Sequence, residues 1–190
     1  VTEMRISGDI SAVAGGTPNA WMTYNAPNGV TLSAGDGLKT VTAQFRDAAG
    51  NVTSLYSDTV TLDQTRPTGS VTINNNDAKT AALLSTLTIT AAGDTEKMYL
   101  SNASIADCGA VPSGNFTDYV SVKVWTLASG ADGARTVYAC LKDYAGNASA
   151  AALSDGITVD TTPPGTDATS LSINEGDQTQ VRGVNLSMHT

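Results

Sequence analysis

The sequence predicts an all-β protein of tandem sandwiches, one complete and one split between the two chain ends. Three observations lead there. First, a long segment recurs: GDGLKTVTAQFRDAAGN (Gly35–Asn51) returns as ADGARTVYACLKDYAGN (Ala131–Asn147). LDQTRPTG (Leu62–Gly69) returns as VDTTPPG (Val159–Gly165). Asp47 maps onto Asp143 and Asp63 onto Asp160, and repetition at that length means tandem copies of one domain. Second, apolar residues alternate with period two. Val41, Ala43 and Phe45 alternate with Thr42, Gln44 and Arg46, and Val137, Ala139 and Leu141 with Tyr138, Cys140 and Lys142. That is the pattern of strands with one buried face. Third, short β-branched runs are bounded by Gly, Asn and Asp, and no 3.6-residue period competes with them.

The first element is residues 1–65, a copy that lacks its first two strands. Residues 66–164 form the complete copy. Its strands are expected at Ser70–Asn74, Thr86–Ala91, Lys97–Ser101, Val120–Leu127, Thr136–Lys142 and Gly156–Val159, with a further short strand near Phe116. Six or seven short strands at this spacing make a β-sandwich. The turns agree. In DAAGN (Asp47–Asn51) and DYAGN (Asp143–Asn147) the Asp bonds its own backbone two residues on, and the Gly supplies the positive φ of a bulged hairpin. GDG (Gly35–Gly37) and ADG (Ala131–Gly133) make the preceding turn.

Residues 165–190 carry the first two strands of a further copy. Leu171–Asp177 (LSINEGD) parallels Val71–Asp77 (VTINNND), and Val184–Met188 parallels Leu87–Ala91. Thr190 then aligns with Gly93, and Val1–Met4 with Thr95–Met98. The two partial copies add up to nearly one domain. A sandwich without its first two strands leaves apolar core and a sheet edge open, and both drive association. The few residues between the last strand of the complete copy and Thr166 span only roughly 15 Å, less than a strand of about 20 Å. Folding the tail back onto its own N-terminal part is therefore hard. Strand donation from one subunit to the next is expected, with an excerpt of a longer repeating polypeptide, or a cleavage product, as the alternative.

Composition excludes several function classes. Charged residues are 15% of the chain, the net charge is −8 and the pI is about 4.3. An acidic chain with few Lys and Arg is a poor partner for nucleic acid or anionic membrane. No stretch approaches the roughly 20 apolar residues of a membrane span, so no membrane insertion is expected. Val1 is not an initiator Met, which reads as a processed or excerpted chain. The only His is His189, so a Ser–His–Asp or His-metal arrangement would depend on one tail residue. No Cys-x-x-Cys, phosphate loop or dinucleotide fingerprint occurs. The chain is not expected to be an enzyme.

M-R-I-S-G-D (Met4–Asp9), T-L-S-A-G-D-G-L-K-T-V (Thr31–Val41), R-D-A-A-G-N and D-Q-T-R-P resemble the bacterial Ig-like repeats found in tandem in large surface and secreted proteins. The second copy repeats them as M-Y-L-S-N, T-L-A-S-G-A-D-G-A-R-T-V, K-D-Y-A-G-N and D-T-T-P-P. The resemblance implies tandem Ig-like sandwiches and an extracellular or cell-surface location. Such domains act as spacers, stalks, adhesive or filament modules, and companions of enzymes.

In an Ig-like sandwich, the strand before Cys108 neighbours the strand of Cys140. Cys140 falls on the outward phase of its strand, and both cysteines read as surface residues. A Cys108–Cys140 disulfide is expected, against free or intermolecular thiols. The resemblance also implies calcium at domain junctions, where Asp63 and Asp160 precede the Pro-containing linkers. Asp47, Asn51, Asp143 and Asn147 offer further oxygens. No full set of six to eight ligands is evident, and turn-forming Asp is the competing role. No cofactor is required. Trp21, Trp125, Tyr24 and Tyr119 are too few for a sugar platform, and the equivalence of Tyr24 and Tyr119 favours shared packing. Asn-x-Ser/Thr sequons occur at Asn51, Asn102, Asn115, Asn147 and Asn185.

The expected function is structural: a subunit or repeat unit of a filament, sheath or surface array, whose partner is another copy of itself, head-to-tail. The alternatives are the stalk or ligand-binding region of a long adhesin, or accessory domains of a secreted enzyme.

Overall fold

The computed structural model describes residues 1–26, 28–165, 170–173 and 186–189. The described residues are all-β, with three single-turn 3-10 segments and no α-helix among them. The first group of strands is β1 (Glu3–Gly8), β2 (Ile10–Val13), β3 (Met22–Thr23), β4 (Val30–Leu32), β5 (Gly37–Arg46) and β6 (Tyr56–Leu62). The second is β7 (Gly69–Ile73), β8 (Lys79–Thr80), β9 (Leu84–Ala91), β10 (Thr95–Ser101), β11 (Thr117–Asp118), β12 (Val122–Thr126), β13 (Gly133–Asp143) and β14 (Leu153–Val159). The tail holds β15 (Ser170–Ile173) and β16 (Leu186–His189).

Residues 69–159 form a sandwich of two sheets, ordered β12-β9-β7 and β11-β10-β13-β14-β8. The period-two residues meet between them. Val71 and Ile73 from β7 and Leu87 and Ile89 from β9 pack on Met98, Val137, Leu141 and Ile157 of the facing sheet, all buried. Two polar bonds tie the layers together. The Asp155 carboxylate (Oδ2) accepts the Ile73 N–H at 2.7 Å, and the Tyr119 hydroxyl donates to the Ile89 carbonyl at 2.8 Å.

The expected strands are present with shifted ends. The strand expected at Gly156–Val159 begins at Leu153, and the one expected at Thr136–Lys142 runs from Gly133 to Asp143. The strand expected at Ser70–Asn74 ends at Ile73. Asn74, Asn75 and Asn76 hold φ of 47°, 57° and 69°, a left-handed run that Asn tolerates better than most residues. The Asn74 side chain then accepts the Thr86 N–H at 2.8 Å, closing the turn into β9. β8 has no signature in the sequence. Its two residues run parallel to Thr158 and Val159, too short a run to show a period.

Residues 3–62 repeat half of this plan. The sheet β3-β1-β5-β6 matches β11-β10-β13-β14 in register. Met4 faces Phe45 as Met98 faces Leu141, and Val41 faces Asp58 as Val137 faces Asp155. Here β4, the counterpart of the β12 region, pairs with β2, and no counterparts of β7 and β9 occur among the described residues of 3–62. The buried core is correspondingly small: Met4, Ile6, Val13 and Met22.

β15 and β16 pair antiparallel, Leu171 opposite Met188 and Ile173 opposite Leu186. β7 and β9 do the same, Val71 opposite Ile89 and Ile73 opposite Leu87. Met188 thus takes the place of Ile89, and the expected alignment of Val184–Met188 with Leu87–Ala91 slides by two residues. An even slip keeps every residue on its face, so the period-two pattern does not distinguish the two alignments. Thr166, Val184, Asn185, Thr190 and the connection 174–185 lie outside the described residues.

Candidate functional site

Two features stand out among the described residues: an uncovered sheet face and a clamped junction. The face belongs to β5 and β6. Val41, Phe45, Val60 and Leu62 occupy the positions of Val137, Leu141, Ile157 and Val159, which β7 and β9 help to bury in the second sandwich. Val60 is 51% exposed where Ile157 is 3% exposed. Tyr24 occupies the position of Tyr119. Each N–H closes the same backbone bond, Tyr24 to Thr2 at 3.0 Å and Tyr119 to Glu96 at 2.9 Å. Tyr24 is nevertheless 45% exposed and leans on Phe45, with ring centroids 5.9 Å apart. Asp58, counterpart of Asp155, accepts the N–H of its neighbour Thr59 at 2.8 Å.

The junction is built from the turn acids. Asp36 accepts the Gln64 N–H at 2.9 Å and the Thr65 hydroxyl at 2.6 Å. Asp132 does the same one repeat on, accepting the hydroxyls of Thr161 and Thr162, each at 2.7 Å. These hydroxyls, with the linker N–H groups, stabilise the carboxylates. Asp36 is held below its ordinary pKa, and Asp132 is lowered to about 2. Each linker is thereby tied to the sheet it leaves. Across the first junction, the Asn147 amide donates to the Asp63 carbonyl at 3.1 Å, linking residues 1–65 to the β13–β14 turn. Asp143 is buried and fixes that Asn147 through both carboxylate oxygens.

Asp63, Asp94 and Asp143 bring carboxylate oxygens within 4.8 Å of one another. Asp94 was not legible as a member because it sits in the β9–β10 turn, far from the recurring DxxGN motif. Calcium takes six to eight oxygens; three carboxylates supply only part of such a shell, and each Asp143 oxygen also accepts a hydrogen bond from Asn147. Asp160 lies apart, 3.1 Å from the Lys79 ammonium. Asp47 and Asn51 bond each other within their own turn, which holds the Asp47 carboxyl below its ordinary pKa.

Cys108 and Cys140 are joined as a disulfide. Neither is a surface residue: both are fully buried. Cys140 is on the outward phase, but the 102–116 segment folds over that face of β13 and carries Cys108 beneath it. In the first repeat its counterpart Gln44 is only partly covered and meets Arg5 and the Thr53 carbonyl instead. The tryptophans are engaged internally. Trp21 lies beneath the guanidinium groups of Arg5 and Arg46, and Trp125 donates to Asn102 at 2.8 Å.

No family model matches the chain, and no curated protein matches it. Among solved structures, it is similar to the fibronectin(III)-like modules of Clostridium thermocellum CbhA, at 14% identity and a TM-score of 0.44. That match covers 84% of this chain and 77% of that one. It is also similar to a tetra-tandem repeat in the extending region of a large adhesion protein, at 22% identity and a TM-score of 0.35, covering 84% of this chain and 42% of that one. At these identities and scores, neither likeness says what the chain does.

Proposed function

We propose that this chain is a structural module of an extracellular array, assembled head-to-tail by strand complementation. The strand pair β15–β16 of one copy completes the open β5–β6 face of the next. The observation that carries this reading is the mismatch between the repeats. Positions buried under β7 and β9 in one sandwich lie open in the other, as with Ile157 and Val60. The tail supplies a strand pair with the antiparallel register of β7 and β9. Strand addition to an open sheet is a general binding mode, and a heterologous contact that does not close builds a fibre. The Asp36 and Asp132 clamps suit such an array because they restrain successive linkers. A buried disulfide suits an oxidising, extracellular setting.

Because the clamps recur in tandem, they also support a second reading. The completing strands then come from an adjacent repeat of one long polypeptide, as in an adhesin stalk or the accessory region of a secreted enzyme. Sedimentation velocity on the purified chain across a concentration series separates the two. Concentration-dependent growth that disappears when residues 166–190 are removed supports strand complementation between copies. A folded monomer at every concentration overturns it.

A further inference from the structure

Resting on that reading, we infer that Asp58 and Tyr24 are polar anchors that hold the incoming strand pair on the open face. The Asp58 carboxylate accepts the backbone N–H of Ile173 of a second copy, and the Tyr24 hydroxyl donates to the carbonyl of its Met188.

Three features of the two repeats and the tail coincide. On the acceptor side, Asp58 lies opposite Val41 as Asp155 lies opposite Val137. Tyr24 and Tyr119 close the same backbone bond to the neighbouring strand. On the donor side, Ile173 pairs with Leu186 and Leu171 with Met188, as Ile73 pairs with Leu87 and Val71 with Ile89. In the complete sandwich the two anchors meet different strands of the pair, Asp155 at the Ile73 N–H and Tyr119 at the Ile89 carbonyl.

Because the donor pair keeps the same internal register, one placement satisfies both anchors at once. A slip of two residues keeps the apolar faces in place and offers both anchors an equivalent backbone group, because N–H and C=O groups on one strand edge recur every two residues. A slip of one turns the apolar set outward. The two polar anchors therefore add binding energy to the apolar contact and, like it, reject the odd slips, which aim both backbone groups at the opposite edge. An ionised acceptor on a backbone N–H is among the stronger hydrogen bonds, so losing it weakens association about tenfold or more.

The test uses the full chain, with self-association measured by sedimentation equilibrium. Asp58→Ala is expected to weaken association at least tenfold, and Tyr24→Phe about threefold to tenfold. Asp58→Asn, which retains an acceptor oxygen, recovers most of the loss. Trp21 fluorescence checks that residues 3–62 still fold. An Asp58→Ala chain must also remain a competent donor, binding wild-type chains through its own tail and stopping growth at one end only. Hydrogen exchange on assembled wild type should show the Ile173 amide protected, and Asp58→Ala should expose it selectively. If wild type assembles and both anchor variants assemble equally well, the anchors are wrong while strand complementation stands. If wild type does not assemble and removing 166–190 changes nothing, the proposed function falls and the anchors with it.

Discussion

Replacing Cys108 and Cys140 together by Ala should destabilise the 69–159 sandwich and leave residues 3–62 unaffected. The bond joins positions 32 residues apart. Chain-entropy loss from closing such a loop in the unfolded state corresponds to roughly 3.5–4 kcal/mol. Both sulfurs are fully buried under the 102–116 segment, so the Ala pair leaves a small void and no unpaired polar atom. Loop closure therefore dominates the change. For a unit of this size, each kcal/mol shifts the melting temperature by about 4–8 °C, so the expected drop is roughly 15–30 °C. Fluorescence melts separate the two regions, with Trp125 reporting on the complete sandwich and Trp21 on residues 3–62 in single-Trp backgrounds. A drop below about 5 °C at Trp125 would refute the entropic reasoning. So would a shift confined to Trp21, or alkylation of both cysteines in unreduced, folded protein.

Val60→Asp should abolish assembly while leaving the 69–159 melt unchanged. A carboxylate buried without a partner costs several kcal/mol, enough for more than a hundredfold loss of affinity; undiminished fibre growth would count against the open face as the docking site. The Asp132 clamp should open in acid. A folded pKa lowered from 3.8 to about 2 means the tie is fully present above pH 3.8 and lost as pH falls through about 2. Carboxyl NMR of Asp132, read beside the Thr162 amide, should show a shared midpoint near 2; a midpoint near 3.8 would deny the clamp. Chelation should leave both melts unchanged, because Asp63, Asp94 and Asp143 fall short of a calcium shell; a clear fall on adding chelator would show that backbone and water oxygens complete one.

Much of the sandwich was legible because its strands bury one face and so write a period-two pattern. Val137, Ala139 and Leu141 show it plainly, and the repeat supplied a second copy of the same message. Strand ends were less legible, since Asn74 reads as strand until its left-handed φ is seen. β8 was silent because two residues cannot display a period. The tail register was ambiguous for a physical reason: an even slip preserves the apolar face, and only backbone pairing tells Leu186 from Met188. The burial of the disulfide was hidden too. Phase placed Cys140 outward, and nothing local says that the 102–116 segment covers that face. The junction clamps escaped because Asp36 and Asp132 already had a sufficient role as turn residues, and their second bonds reach residues nearly thirty positions away.

The most direct test of strand complementation is negative-stain electron microscopy of the purified chain, beside the same chain without residues 166–190. The account predicts linear fibres from the former and none from the latter. Monomers from the full chain, or fibres that persist without the tail, would contradict it.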